Sequence, residues 1–296
     1  MLAILFWSID WVAVRGEAFS DLENYIEGFS FNHYQYDRAA SLLQWYTQEY
    51  LWRSLIYALG ERFSFDTIFS YIALCTLIVS AVYVTLKSRS VIYLAVLANP
   101  LSVDLAFAQS RSAAGMAIIW MALLSSKAPW RIGLLALAPM IHSAMLVYSL
   151  VMLIPWESEY VRKNAGLYVG AVIIGAAAAL GPLRSIILEG LGDRRAYSTT
   201  VSSGILFTAM LASYGLPFTF APSRVTRDRT ALIAVLSAVL SVSVTLSGGA
   251  GNRFVSLALP AFAVGISHIP SAVVRRVAFC WMMASSLIYY FLYWST

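Results

Sequence analysis

From Phe65 to Trp294 the chain is a succession of apolar runs separated by short polar breaks. The runs lie near 65–86, 90–108, 110–126, 131–154, 165–183, 198–221, 230–248, 252–269 and 273–294. This pattern constrains the fold more than any single motif. The chain is 60% hydrophobic and only 12% charged, against about 25% charged residues in a soluble domain. Such runs suit a bilayer, where the backbone must satisfy its own hydrogen bonds, leaving helices or a closed barrel. They are continuous rather than alternating, so helices are expected. The sequence predicts an all-α polytopic integral membrane protein, one transmembrane domain over 1–296. About 10–11 transmembrane or re-entrant helices are expected, several shorter than the roughly 20 residues of a straight crossing.

The opening MLAILFWSIDWVAV lacks a basic leading region and a small-residue cleavage site, so it reads as a short first membrane helix rather than a signal peptide. The region 15–50 is the longest polar stretch and is expected to face outward. It carries Asp21, Glu23, Glu27, Asp37 and Glu49 among Tyr25, Phe29, Tyr34, Tyr36, Trp45 and Tyr46. Its centre reads as ordered loop and short interfacial helix, and 51–59 is apolar but too short to cross. Cys75 and Cys280 lie in apolar runs and read as small packing residues. The net charge of +5 comes mostly from Arg in short loops. No nucleic-acid module accompanies it, so it reads as orientation against an anionic inner leaflet.

Lysine and arginine pairs test the topology. Lys87 with Arg89, Lys127 with Arg131, Arg162 with Lys163, the Arg224, Arg227 and Arg229 group, and Arg275 with Arg276 all mark inner loops. A single crossing at 131–154 puts Arg162 on the wrong side. A hairpin that enters and returns, broken around Pro139 to His142, removes the conflict, since proline interrupts the helical ladder. Gln109, Arg111, His142, Arg194, Arg195 and Arg253 then share the outer side.

Each of these admits a bland reading. Arg111 costs roughly 3 kcal/mol at the middle of a membrane helix. It either snorkels to headgroups or faces a water-filled cavity and grips an anion with its planar fork of donors. His142 is the only histidine inside a long apolar run. It is a packed core residue, a proton acceptor or a donor to substrate. Arg194 and Arg195 beside Tyr197 suit an interface anchor as well as a ligand, and Arg253 follows a glycine stretch fit for a tight turn. His33 and His268 stand isolated, and no His or carboxylate pair has metal-ligand spacing.

Taken in order, these motifs resemble the EpsG-like members of the Wzy family of bacterial polysaccharide polymerases. The matching residues are Arg15, Asp21 and Tyr25, then Trp45, Glu49 and Trp52. AQSRSAAGMAI follows with Gln109, Arg111 and Ala114, and IHSAML with His142, Ser143 and Ala144. RRAY brings Arg194, Arg195 and Tyr197, and NRFVSLALP brings Asn252, Arg253 and Pro260.

The resemblance implies a metal-independent glycosyltransferase without cofactor, in the bacterial cytoplasmic membrane with its site facing the periplasm or exterior. It would polymerise undecaprenyl-diphosphate-linked repeat units, moving the growing glycan to the next unit and releasing the carrier diphosphate. Arg111, His142, Glu49 and Asp21 would form the catalytic set. Gln109, Arg194, Arg195, Tyr197, Arg253 and Arg15 would bind the diphosphates and substrate. Its partners would be lipid-linked repeat units, the growing glycan, membrane lipid and a chain-length regulator, in O-antigen or exopolysaccharide synthesis. Two other classes fit the inventory: a ligase using the same lipid carrier, and a transporter of lipid-linked sugars.

Overall fold

The computed structural model describes residues 2–15, 19–30, 49–155, 158–180, 182–183, 186, 204–220 and 228–294. Of these residues 85% are helical and none is in a strand, so the described chain is all-α. Three of its helices are long and apolar enough to cross a membrane: Phe65–Ser88, Arg229–Leu246 and Ala272–Leu292. A fourth span exists if Val91–Ala98 and Pro100–Ala108 act as one.

The helices in chain order are α1 (Leu2–Trp7), α2 (Trp11–Arg15), α3 (Ser20–Ser30), α4 (Tyr50–Gly60) and α5 (Phe65–Ser88). Then come α6 (Val91–Ala98, 3-10 wound), α7 (Pro100–Ala108), α8 (Ser110–Leu124), α9 (Ala128–Ile141) and α10 (Met145–Leu153). The remainder are α11 (Glu159–Lys163), α12 (Ala165–Leu180), α13 (Ile205–Phe220), α14 (Arg229–Leu246), α15 (Asn252–Ser267) and α16 (Ala272–Leu292). The chain divides into two compact units. One is Met1–Tyr83, Leu97–Leu153 and Tyr289–Thr296; the other is Val84–Val96 and Ile154–Ile288.

In the first unit, Trp52 and Ile56 are one turn apart on α4 and so share a face. They pack with Phe29, Ile68, Phe69 and Ile141 into a buried aromatic core. At roughly 1.5–3 kcal/mol per large apolar side chain buried, this core fixes the start of α4 beside the end of α9. A Cβ on Gly115 of α8 would lie 2.7 Å from Met145 Cγ and 3.4 Å from His142 Cβ. Glycine there lets the α9–α10 junction seat directly on α8. Arg111 lies one turn earlier on the same face, so this close approach sets the site.

The second unit is centred on α14 and α15, both largely buried. Gly248 turns the chain between them with φ of 81°, a conformation L side chains rarely adopt. A Cβ on Gly251 would strike the Ser241 carbonyl oxygen and Thr245 Oγ1. Hydroxyls join neighbouring helices: Thr208 Oγ1 and Thr245 Oγ1 are 3.0 Å apart, and Ser243 Oγ donates to the Ala177 carbonyl at 2.8 Å. Such bonds are a usual glue between apolar helices, where hydrophobic burial drives association weakly.

Most apolar runs coincide with helices, but several expectations change. The first run is two short helices, interrupted at Ser8–Asp10, where the Asp10 side chain accepts from the Ala13 amide and starts α2. The 90–108 run breaks at Asn99, whose side chain caps α7 by accepting from Leu101 N, with Pro100 in the first helical position. In 131–154 the break is at His142–Ala144, while Pro139 sits inside α9. Cys75 and Cys280 are exposed rather than packed.

Candidate functional site

Glu49 precedes α4 with φ 55° and ψ 45°, a left-handed conformation for a residue with a side chain. Holding a non-glycine there costs on the order of 1–3 kcal/mol and persists only when the surroundings enforce it. Here they do. Only 3% exposed, the carboxylate meets four donors from two distant segments. Oε2 accepts from Arg111 Nη1 in an ion pair. Oε1 accepts from the Ser143 amide at 3.1 Å and Ser143 Oγ at 3.2 Å, and lies 2.7 Å from His142 Nδ1.

With the Ser143 amide directed onto Oε1, that oxygen is an acceptor, so the His142 proton belongs on Nδ1. A neutral ring in that tautomer carries its lone pair on Nε2. His142 itself is extended (φ −147°, ψ 117°) at the end of α9, so the helix break delivers both the imidazole and the Ser143 amide to Glu49. Arg111 occupies the second position of α8, where a cation opposes the helix dipole. The Glu49 carboxylate offsets that charge, and the Tyr25 ring of α3 lies 5.5 Å from the guanidinium carbon. The arginine and histidine side chains remain 27% and 15% exposed, the carboxylate 3%. Ligand can reach the first two and not the third.

A second polar cluster lies in the same unit. Arg15 Nη1 is 4.0 Å from Asp104 Oδ1, and the Tyr289 hydroxyl donates to Asp104 Oδ2 at 3.3 Å. Asp104 opens the π-wound last turn of α7, Asp104–Ala108. Aromatic rings border it: the Arg15 guanidinium carbon is 5.1 Å from the Phe19 ring, Phe19 stacks on Phe107, and Trp11 is 6.5 Å from Phe107.

The structure therefore brings together Arg111, His142 and Glu49, with Tyr25 beside them. Asp21, half-buried in the first turn of α3, lies one turn before Tyr25 on the same helix face. Gln109 joins α7 to α8, its amide donating to the Asp104 carbonyl at 3.0 Å. Its Oε1 is buried with no partner among the described residues. Arg15 pairs with Asp104, away from the Glu49 contacts. Arg253 is exposed at the head of α15 in the second unit. Arg194, Arg195 and Tyr197, like His33 and Trp45, lie outside the described residues.

Trp52, part of the matched motif, is a core residue. His268 is not isolated: Nδ1 is 3.1 Å from Asp228 Oδ2, and Nε2 donates to the Lys87 carbonyl at 2.9 Å. Asp104 and Tyr289 belong to none of the sequence motifs above. The signal was present for Asp104, an ionisable residue inside an apolar run. Among the described residues, no group of three or more His, Cys, Asp or Glu is placed to hold a metal.

No family model matches the sequence, and neither a curated protein nor a solved structure is significantly similar to it.

Proposed function

We propose that this chain is a multi-pass inner-membrane glycosyltransferase. It polymerises undecaprenyl-diphosphate-linked repeat units at the outer face, with 10–11 transmembrane or re-entrant helices and an outward region at 15–50. The observation that supports it best is the Glu49–Arg111–His142 constellation. Three ionisable residues from separate segments converge in an apolar unit, and an ionisable group in such a setting is a functional-site signature.

In this reading the roles divide by access. Glu49 is too buried and too fully engaged to meet an acceptor, so it orients His142 and Arg111. His142 Nε2 takes the proton from the acceptor sugar hydroxyl. The hydroxyl oxygen forms a bond to the anomeric carbon of the donor glycan as that carbon's bond to the diphosphate oxygen breaks. The leaving diphosphate keeps the electron pair, and Arg111 stabilises its charge in place of a metal ion. The cost of strain at Glu49 and of a cation at the head of α8 is then spent on a preorganised site.

The test is the length distribution of lipid-linked glycan in cells lacking the gene, complemented with wild type or Arg111→Ala at matched membrane abundance. Wild type should restore long chains. The variant should leave single repeat units, with at least a 100-fold lower rate, the scale of losing one preorganised donor. Long chains from the variant would remove Arg111 from the site. Unchanged glycan length with wild type would turn the reading to a ligase or transporter.

A further inference from the structure

We infer that Asp104, Arg15 and Tyr289 form a second subsite in the first unit, one that binds sugar hydroxyls of a lipid-linked glycan. This deepens the transferase reading and rests on it. Block transfer joins two glycans, so one cluster performing chemistry must be accompanied by contacts that hold sugar away from the reacting bond.

Three observations lead to Asp104. First, a carboxylate in an apolar run is unfavourable unless it has a task, and here residues 15, 104 and 289 converge on one point. Second, Asp104 begins a π-wound turn, an insertion found frequently at functional sites because it redirects side chains at the expense of helix regularity. Third, the neighbours are aromatic: Phe19 stacked on Phe107, and Trp11 against Phe107.

The chemistry selects the ligand. Unlike Glu49, whose side chain is 3% exposed, Asp104 beside Arg15 is 17% exposed and meets the ligand directly, so it would repel a diphosphate. A carboxylate that accepts from hydroxyls, a guanidinium that donates to them and aromatic faces that stack on pyranose rings suit a neutral sugar. Arg15 thus moves from the diphosphate contacts the resemblance implies to sugar recognition. Asp104 precedes Arg111 by seven residues of mostly helical chain, on the order of 10 Å at 1.5 Å per residue. One oligosaccharide can reach both clusters.

The test uses full-length protein in nanodiscs. Lipid-diphosphate-linked repeat unit extracted from cells lacking the gene is the probe, and polymer formation is followed against its concentration. Asp104→Asn should raise KM about tenfold with kcat within a few-fold, as expected for lost ground-state hydrogen bonds. Tyr289→Phe removes one hydroxyl and should raise KM about threefold, so it carries the test if Asp104→Asn fails to fold. KM within twofold of wild type for both folded variants overturns the subsite, as does a fall in kcat and melting temperature at unchanged KM. If those results appear while Arg111→Ala is inactive, only the subsite fails. Absence of polymer from wild type overturns the subsite and the transferase reading together.

Discussion

Among the described residues each unit holds one histidine–carboxylate pair, and the two differ in every respect that matters. His268 and Asp228 obey local rules. Asp228 caps α14 by accepting from the Thr230 amide at 2.8 Å, and His268 sits at the C-terminal end of α15. An anion at a helix start and a histidine at a helix end both favour the helix dipole. His142 and Glu49 break local rules. The glutamate is left-handed, the histidine interrupts a helix, and the arginine paired with the glutamate stands at a helix start. The first arrangement stabilises helices. The second is maintained against local preference, which is the physical mark of a site.

The sharpest way to break the comparison is to remove both carboxylates in turn. Glu49→Ala leaves Arg111 without its buried counter-charge and His142 without its hydrogen-bond acceptor, and loss of one partner of a buried ion pair costs about 3–5 kcal/mol. Glu49→Gln keeps the shape but reverses part of the hydrogen bonding to Arg111 and His142. It should fold and still lose most activity, read as polymer yield at matched abundance. Full activity in Glu49→Gln would reduce the constellation to packing.

Gly251→Ala asks whether the second unit tolerates a perturbation the first does not share. Its Cβ meets the Ser241 carbonyl oxygen and Thr245 Oγ1, and overpacking of this kind costs roughly 1–3 kcal/mol. A melting temperature lowered with KM unchanged is the expected outcome.

The smallest effect belongs to Asp228. Burial raises its pKa, but hydrogen bonds from His268 and the Thr230 amide outweigh burial and hold the carboxyl below its ordinary value. A lowered folded-state pKa gives stability that is present above the unfolded pKa and lost as pH falls through the folded one. Asp228→Ala should cost about 1 kcal/mol as a lost cap near neutral pH. The gap to wild type should close below about pH 4. Thermal melts of both proteins across pH check this, with activity at neutral pH unaffected.

The helical runs were legible because long apolar segments admit few alternatives in lipid, and their ends carry ordinary signals. Asp228 and Gly248 bracket α14, and both signals are visible in sequence. Asn99-Pro100 is an equally ordinary start signal, set inside a run that is otherwise mostly apolar. Arg111 and His142 could be singled out as ionisable residues in apolar runs, whereas Glu49 stands among several carboxylates of 15–50 and is marked only by the resemblance. The pairing of the three could not be singled out, because it joins residues 62 and 93 positions apart. His268 looked isolated for the same reason, its partner lying 40 residues away. The role of Gly115 as the seat of the α9–α10 junction was also hidden, since its value depends on what approaches it.

Those separations also set a timetable. At about 5–20 residues per second of synthesis, Glu49 leaves the ribosome some seconds before Arg111, and longer still before Ser143. For that interval the Arg111, His142 and Ser143 contacts that hold its backbone left-handed do not yet exist. The turn ahead of α4 must therefore be set late, when α8 and the α9–α10 junction arrive. The Glu49 bonds to Arg111 and His142 span 62 and 93 positions, so each carries the loop-closure cost of a non-local contact.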